Sequence, residues 1–216
     1  MLKNIVIIGA GGHAKEVSFL IDEINRFKPT WNLLGYIEKD NKSIRIYNGR
    51  YRILGNEAYF DKYQEPMHAV IAIGSPHLVD RIQNRLSKKY SQIIFPNLIH
   101  PSVEVKTVDV KMGQGNIICA GNIFTTDIMI GSFNCINRGC NISHDVSIHS
   151  KCIINPGVNI SGGVVIKDRC LIGTGATIMQ YITIDSDSTV GAGAVVIKNV
   201  GQNETVVGIP AKKINP

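Results

Sequence analysis

No apolar run in this chain approaches the roughly 20 residues a membrane-spanning helix needs, so no membrane partner is expected. Nor is a signal peptide expected, because Lys3 and the short run Ile5–Ile8 lead straight into glycines. Cysteine is scarce: five residues, an odd number, with no CxxC spacing. That argues against a disulfide framework and points to the cytoplasm. The histidines also lack ligand spacing, so no metal is expected. No dense Lys/Arg block accompanies the formal charge of +6, which excludes nucleic acid as the expected partner. The charge suits an anionic small ligand or a merely basic surface. What remains is an ordinary globular composition, 44% hydrophobic and 19% charged over 216 residues, enough for one or two domains.

What the chain does have is a rhythm. From Ile118 to Val196 an apolar residue returns at every sixth position: Ile118, Phe124, Ile130, Ile136, Ile142, Ile148, Ile154, Ile160, Ile166, Ile172, Ile178, Ile184, Val190 and Val196. Neither the helical nor the strand period produces a strict six. Such a series predicts short strands separated by turns, three to a coil, with coils stacked so that like residues form buried ladders. Four places after most ladder residues stands a small or β-branched one (Cys140, Val146, Cys152, Val158, Val164, Cys170, Ala176, Ser188, Ala194). Cys140, Cys152 and Cys170 therefore read as buried small residues. Gly131, Asn137, Asn155, Gly173 and Gly191 directly follow the ladder, where a tight corner would call for positive φ.

The first 95 or so residues read differently. Strands are expected at residues 2–8, Leu33–Ile37, Tyr51–Leu54, His68–Ile73 and Gln92–Phe95, and helices at Ala14 to Phe27 and His77 to Tyr90. Alternating strands and helices imply a small parallel, Rossmann-like sheet. Gly9-x-Gly11-x-x-Ala14 after the first strand fits a phosphate-binding turn, with Glu38 placed for a ribose hydroxyl. The same motif also suits a plain structural turn or a nicotinamide cofactor. The chain has nothing like a dehydrogenase substrate domain. Pro96 to Pro101 makes the joint, giving domains of residues 1–96 and 97–216. Ile99 and Val105 are out of frame by one residue with Met112 onward, so the first coil carries an insertion.

The hexapeptide series, the GxGGHA-type start, Ile142-Ser143-His144-Asp145 and the tail Val206-Val207-Gly208-Ile209-Pro210-Ala211-Lys212 together resemble the hexapeptide-repeat acyltransferases. Within them the likeness is to the sialic-acid O-acetyltransferase family, which includes N-acetyltransferases of nucleotide-linked 4-amino-4,6-dideoxysugars. The resemblance implies a left-handed parallel β-helix and a homotrimer that uses acetyl-CoA as cosubstrate. His144 would be the general base, with Asp145 orienting it and Asn137 near the reacting centre. An imidazole suits that role near neutral pH. Gly162, Gly173, Thr174, Gly191 and Ala192 would line coenzyme A, with Pro210 and Lys212 near its adenine end.

In related sequences a second His often holds the acetyl group nine places after the base, and here that place is Ile153. The nucleotide sugar would meet Gly9, Gly11, Gly12, His13, Glu38, Lys39 and Gly74. His149 reads as a corner residue, and His100, His77 and His68 as surface or joint residues. The implied activity is N-acetylation of the sugar 4-amino group. The alternatives are O-acetylation of a sugar hydroxyl and a trimeric nucleotide-binding scaffold without catalysis.

Overall fold

The computed structural model describes residues 1–39, 52–103 and 109–214. These divide into two compact units, Met1–Gly74 with Leu78–Leu98, and Ser75–His77 with Ile99–Pro216. No described helix is long and apolar enough to cross a membrane.

In the first unit, β1 (Lys3–Ile8), α1 (Gly12–Phe27), β2 (Trp31–Ile37), β3 (Ile53–Gly55), β4 (Met67–Ile71), α2 (Pro76–Lys89) and β5 (Ile93–Ile94) follow in sequence. Both helices begin earlier than the periodicity suggested, and Tyr51 lies outside the described residues. The sheet is fully parallel in the order β3-β2-β1-β4-β5. Strand order reverses between β1 and β4, and in open α/β sheets ligands bind beyond the carboxyl ends of strands at that point. Ile5, Ile7, Val17 and Ile21 are fully buried, which fixes α1 against the sheet.

The second unit is the expected left-handed parallel β-helix. Its two-residue strands pair with those 18 positions on, as in Ile136↔Ile154, Ile142↔Ile160 and Ile148↔Ile166. Three sheets of five, five and eight strands result, parallel except where the eight-stranded one ends in an antiparallel pair. Every ladder residue from Ile130 to Val196 is at most 3% exposed. The first coil does carry an extra residue: the His100 N–H donates to Ile118 O, so Ile99 aligns with a residue 19 positions ahead. Val105 itself lies outside the described residues.

Two details differ from the sequence expectation. Positive φ falls on the third residue after the ladder, not the first, as at Asp127, Phe133, Asp145, Lys151, Arg169, Tyr181 and Asp187. Gly131 shows why glycine occurs at the first place: a Cβ there would stand 2.7 Å from the His149 carbonyl of the next coil. Close stacking selects glycine there, and backbone handedness acts two residues later. The buried cysteines are also more than filler. Asn116, Asn134, Cys152, Cys170 and Ser188 form one buried column. Asn134 Oδ1 accepts the Cys152 N–H at 2.8 Å, and the Cys152 thiol donates to Lys167 O at 2.9 Å. The column satisfies corner groups that the strand ladders leave over.

At an adjacent corner Arg169 grips Asp187 one coil later through two hydrogen bonds of 2.7 and 2.9 Å. The guanidinium holds the Asp187 carboxyl below its usual range. A depressed folded pKa contributes stability above the unfolded value of about 3.9 and loses it as pH falls through the folded value. Arg169→Met should therefore lower the urea midpoint at neutral pH, and the gap from wild type should close as the solution is acidified below that range.

Candidate active site

His144 stands two residues after the ladder residue Ile142, on the corner between two sheets, and its side chain is 48% exposed. Its Nδ1 lies 2.8 Å from Asp145 Oδ2. Adjacent side chains in a strand point to opposite faces, which left a direct contact doubtful in the sequence. Here Asp145 has φ 60°, a conformation Asp tolerates better than most residues, and the turn brings the two together. A carboxylate only accepts, so in the neutral imidazole Nδ1 is the protonated nitrogen and Nε2 holds the lone pair. The imidazole lies over the next coil, where a Cβ on Gly162 would be 2.5 Å from Cε1 and 2.6 Å from Nε2. Gly162 is therefore the floor beneath the His144 imidazole, a placement the sequence did not suggest.

Asn137 does not share this corner. It follows Ile136, one sheet earlier, and donates from Nδ2 to Ile154 O at 3.2 Å. Gly173, Thr174, Gly191 and Ala192 stack on that same earlier corner. Thr174 and Ala192 are exposed, and Gly173 and Gly191 half-buried. Within one chain the structure thus separates His144 and Gly162 from Asn137 and the other residues expected to line coenzyme A. Ile153 is only 4% exposed, and its N–H is taken by Cys170 O at 2.9 Å. Neither its side chain nor its N–H is offered to a ligand. Pro210 and Lys212 are exposed in a terminal hairpin, Thr205–Val207 against Lys212–Ile214. His149 is an exposed corner residue.

A cavity of about 620 Å³ in the first unit opens beyond the carboxyl ends of β1 and β2. Gly9, Glu38 and Lys39 line it, whereas Gly11, Gly12, His13 and Gly74 are not part of its wall. The Glu38 carboxylate accepts the Ala10 N–H on Oε2 at 3.1 Å and the Lys39 N–H on Oε1 at 2.8 Å. It therefore clamps the glycine turn and keeps spare lone pairs toward the cavity. His13 lies in the first turn of α1, 3.6 Å from Glu16, and burial pushes its pKa down. The sequence reading missed the opposite wall: Leu78, Arg81, Ile82, Arg85 and Lys89 of α2. Arg81, Arg85 and Lys89 recur every four residues, and that helical charge stripe was the signal available. Arg85 forms a two-point ion pair with Glu57, which fixes the turn after β3 against α2.

Residues 4–86 match the family described as the PglD N-terminal domain. No curated protein matches the chain by sequence. A mutant of perosamine N-acetyltransferase from Caulobacter crescentus, solved with CoA and GDP-perosamine, is 26% identical with a TM-score of 0.87. That match covers 100% of this chain and 99% of that one. The acetyltransferase domain of PglB from Neisseria gonorrhoeae, solved with acetyl coenzyme A, is 25% identical with a TM-score of 0.84, over 99% and 100% of the two chains. WeeI from Acinetobacter baumannii is 28% identical with a TM-score of 0.84, over 98% and 100%. The family resemblance read from the sequence is borne out across both units.

Proposed function

We propose that this relative of the nucleotide-linked amino-sugar acetyltransferases transfers acetyl from acetyl-CoA to the 4-amino group of a nucleotide-linked 4-amino-4,6-dideoxyhexose. One observation carries the assignment: an exposed imidazole whose Nδ1 is tied to Asp145, leaving Nε2 as a base. In the reaction the amine nitrogen attacks the thioester carbonyl, His144 Nε2 takes the ammonium proton, and the C–S bond breaks to release the CoA thiol. Transfer is direct. All five cysteines are buried, so none stands as an exposed nucleophile beside the base. Most of the acceleration then comes from holding amine and thioester together.

In this reading residues 1–96 hold the nucleotide and residues 97–216 carry out acyl transfer. The cavity's cationic rim of Lys39, Arg81, Arg85 and Lys89 suits a diphosphate, and its apolar floor of Ile8, Ile37, Ile73 and Ile82 suits a base. Coenzyme A runs along Gly162, Gly173, Thr174, Gly191 and Ala192 toward Pro210 and Lys212. Because His144 and most of those residues occupy different corners, the cleft is assembled between neighbouring copies of a homotrimer. Light scattering behind size exclusion should return three chains. The buried thiols suit a reducing compartment, and we place the enzyme in the cytoplasm.

The decisive assay follows thiol release from acetyl-CoA with a panel of 4-amino sugar nucleotides and free sugar acids. Turnover confined to the amino sugars supports the reading, whereas turnover confined to sugar hydroxyls overturns it. A second test follows from the floor beneath the base. Gly162→Ala would drive a carbon into the imidazole. We expect kcat to fall at least about tenfold, since a misplaced base loses much of its contribution, with little change in KM for the sugar nucleotide.

A further inference from the structure

The charged groups around the cavity of the first unit are not equivalent. Arg85 is committed to Glu57 through two nitrogens, and Lys89 lies 3.4 Å from Asp61. Arg81, on the same wall, forms no ion pair or hydrogen bond among the described residues, and neither does the Lys39 ammonium. Those two cations are left to meet the phosphates of a ligand.

Of the two carboxylates on the wall, Glu57 is taken up by Arg85, and Glu38 is not. The Glu38 oxygens instead accept one backbone N–H each, from Ala10 at 3.1 Å and from Lys39 at 2.8 Å. These bonds fix the plane of the carboxylate and leave each oxygen with a further lone pair. A group so held, which only accepts, is matched by a ligand that presents two neighbouring donors. The cis 2′,3′-diol of a ribose does so, and so does the N–H edge of a guanine. Position decides between them. Glu38 ends β2 directly before the free cation Lys39 and is hydrogen-bonded to the glycine turn. Ribose is the unit next to the phosphates, whereas the base lies one unit further away.

Resting on the reading of this unit as the nucleotide-holding half of an acetyltransferase, we infer that Glu38 accepts both ribose hydroxyls. The amino sugar is then carried on a ribonucleoside diphosphate, and a 2′-deoxy carrier such as dTDP is rejected. The rejection has a physical basis: without the 2′-hydroxyl, one oxygen of a fixed carboxylate faces the ligand with no donor, which costs more than a missing contact.

Calorimetric titration of the full chain with UDP, dUDP, GDP and dGDP tests this without turnover, because each pair shares a base and differs only at the 2′ position. For the preferred base we expect the ribonucleotide to bind at least about tenfold tighter than its deoxy twin, the range of a hydrogen bond to a charged group. Glu38→Ala should bring that ratio close to one, and Arg81→Gln should weaken both twins while preserving the ratio. Should the alanine variant fail to fold, Glu38→Gln, which retains one accepting oxygen to hold the turn, should still lose most of the preference. Equal affinity for the twins in the wild-type protein overturns the inference, as does a preference that survives at Glu38→Gln. A loss confined to guanine nucleotides in the Glu38 variants, or no binding of any probe, overturns it as well. Thiol release from acetyl-CoA with 4-amino sugar nucleotides, followed on the same preparation, judges the acetyltransferase reading separately: discrimination between the twins without turnover would sink that reading and leave the carrier assignment in place.

Discussion

His144→Ala should lower turnover by about a hundredfold or more, the usual contribution of a positioned general base, while the elution volume and melting temperature stay as they were. The separation of effects follows from the structure. His144 is half exposed on a corner, contributes nothing to the ladders, and lies over a glycine, so its truncation leaves no buried cavity. Its backbone carbonyl still accepts the Gly163 N–H, and the coil keeps that hydrogen bond. The sugar nucleotide and acetyl-CoA should bind nearly as before, placing the loss in kcat. Asp145→Asn should cost less, because an amide carbonyl still accepts from Nδ1 but no longer stabilises the imidazolium that forms. Steady-state kinetics with both substrates varied would decide this. An alanine variant with near-normal kcat would remove the base from the scheme.

Ile154→Ala should have the opposite profile, a large loss of stability with little direct effect on chemistry. Ile154 is fully buried and sits in register between Ile136 and Ile172, in the middle of its ladder. Truncating a buried isoleucine usually costs about 2–5 kcal/mol, and more where the surroundings cannot collapse into the space. Collapse is hard here, because each ladder residue is held by its own strand pairing at about 4.8 Å from the next. The upper half of that range is therefore expected, read as a fall in the denaturant midpoint. Alanine at Asn159, half-buried on the outer face beside Ile160, should cost far less.

How much of this was legible beforehand depended on whether the signal repeats. Residues such as Ile142, Ile148 and Ile154 announce their burial because the period of six is enforced by a geometry that recurs every coil. The insertion in the first coil was visible for the same reason. The corner chemistry was less so. Positive φ at Asp145, Lys151, Arg169 and Tyr181 is carried by unrelated residue types, and composition therefore pointed to the neighbouring glycines instead. The contact between His144 and Asp145 depends on that backbone turn, which a strand rule applied to adjacent residues hides. Side chains that reach across coils, as His144 does over Gly162 and Tyr181 over Gly163, join residues 18 apart, and a chain read in order does not display them as neighbours. The cavity wall from α2 was missed because a charge stripe on a helix usually means only a wet face.

The fixed rise of each coil has a consequence for how long a ligand the molecule can accept. Between the His144 corner and the terminal hairpin the coils stack at a fixed rise, so the prism acts as a ruler graduated in steps of about 4.8 Å. Splicing in one extra turn of 18 residues below Gly163 and Tyr181 would leave the reacting corner intact and move the hairpin one graduation away. Selection for a longer or shorter thioester carrier could therefore proceed by counting turns, without touching the residues that perform the chemistry.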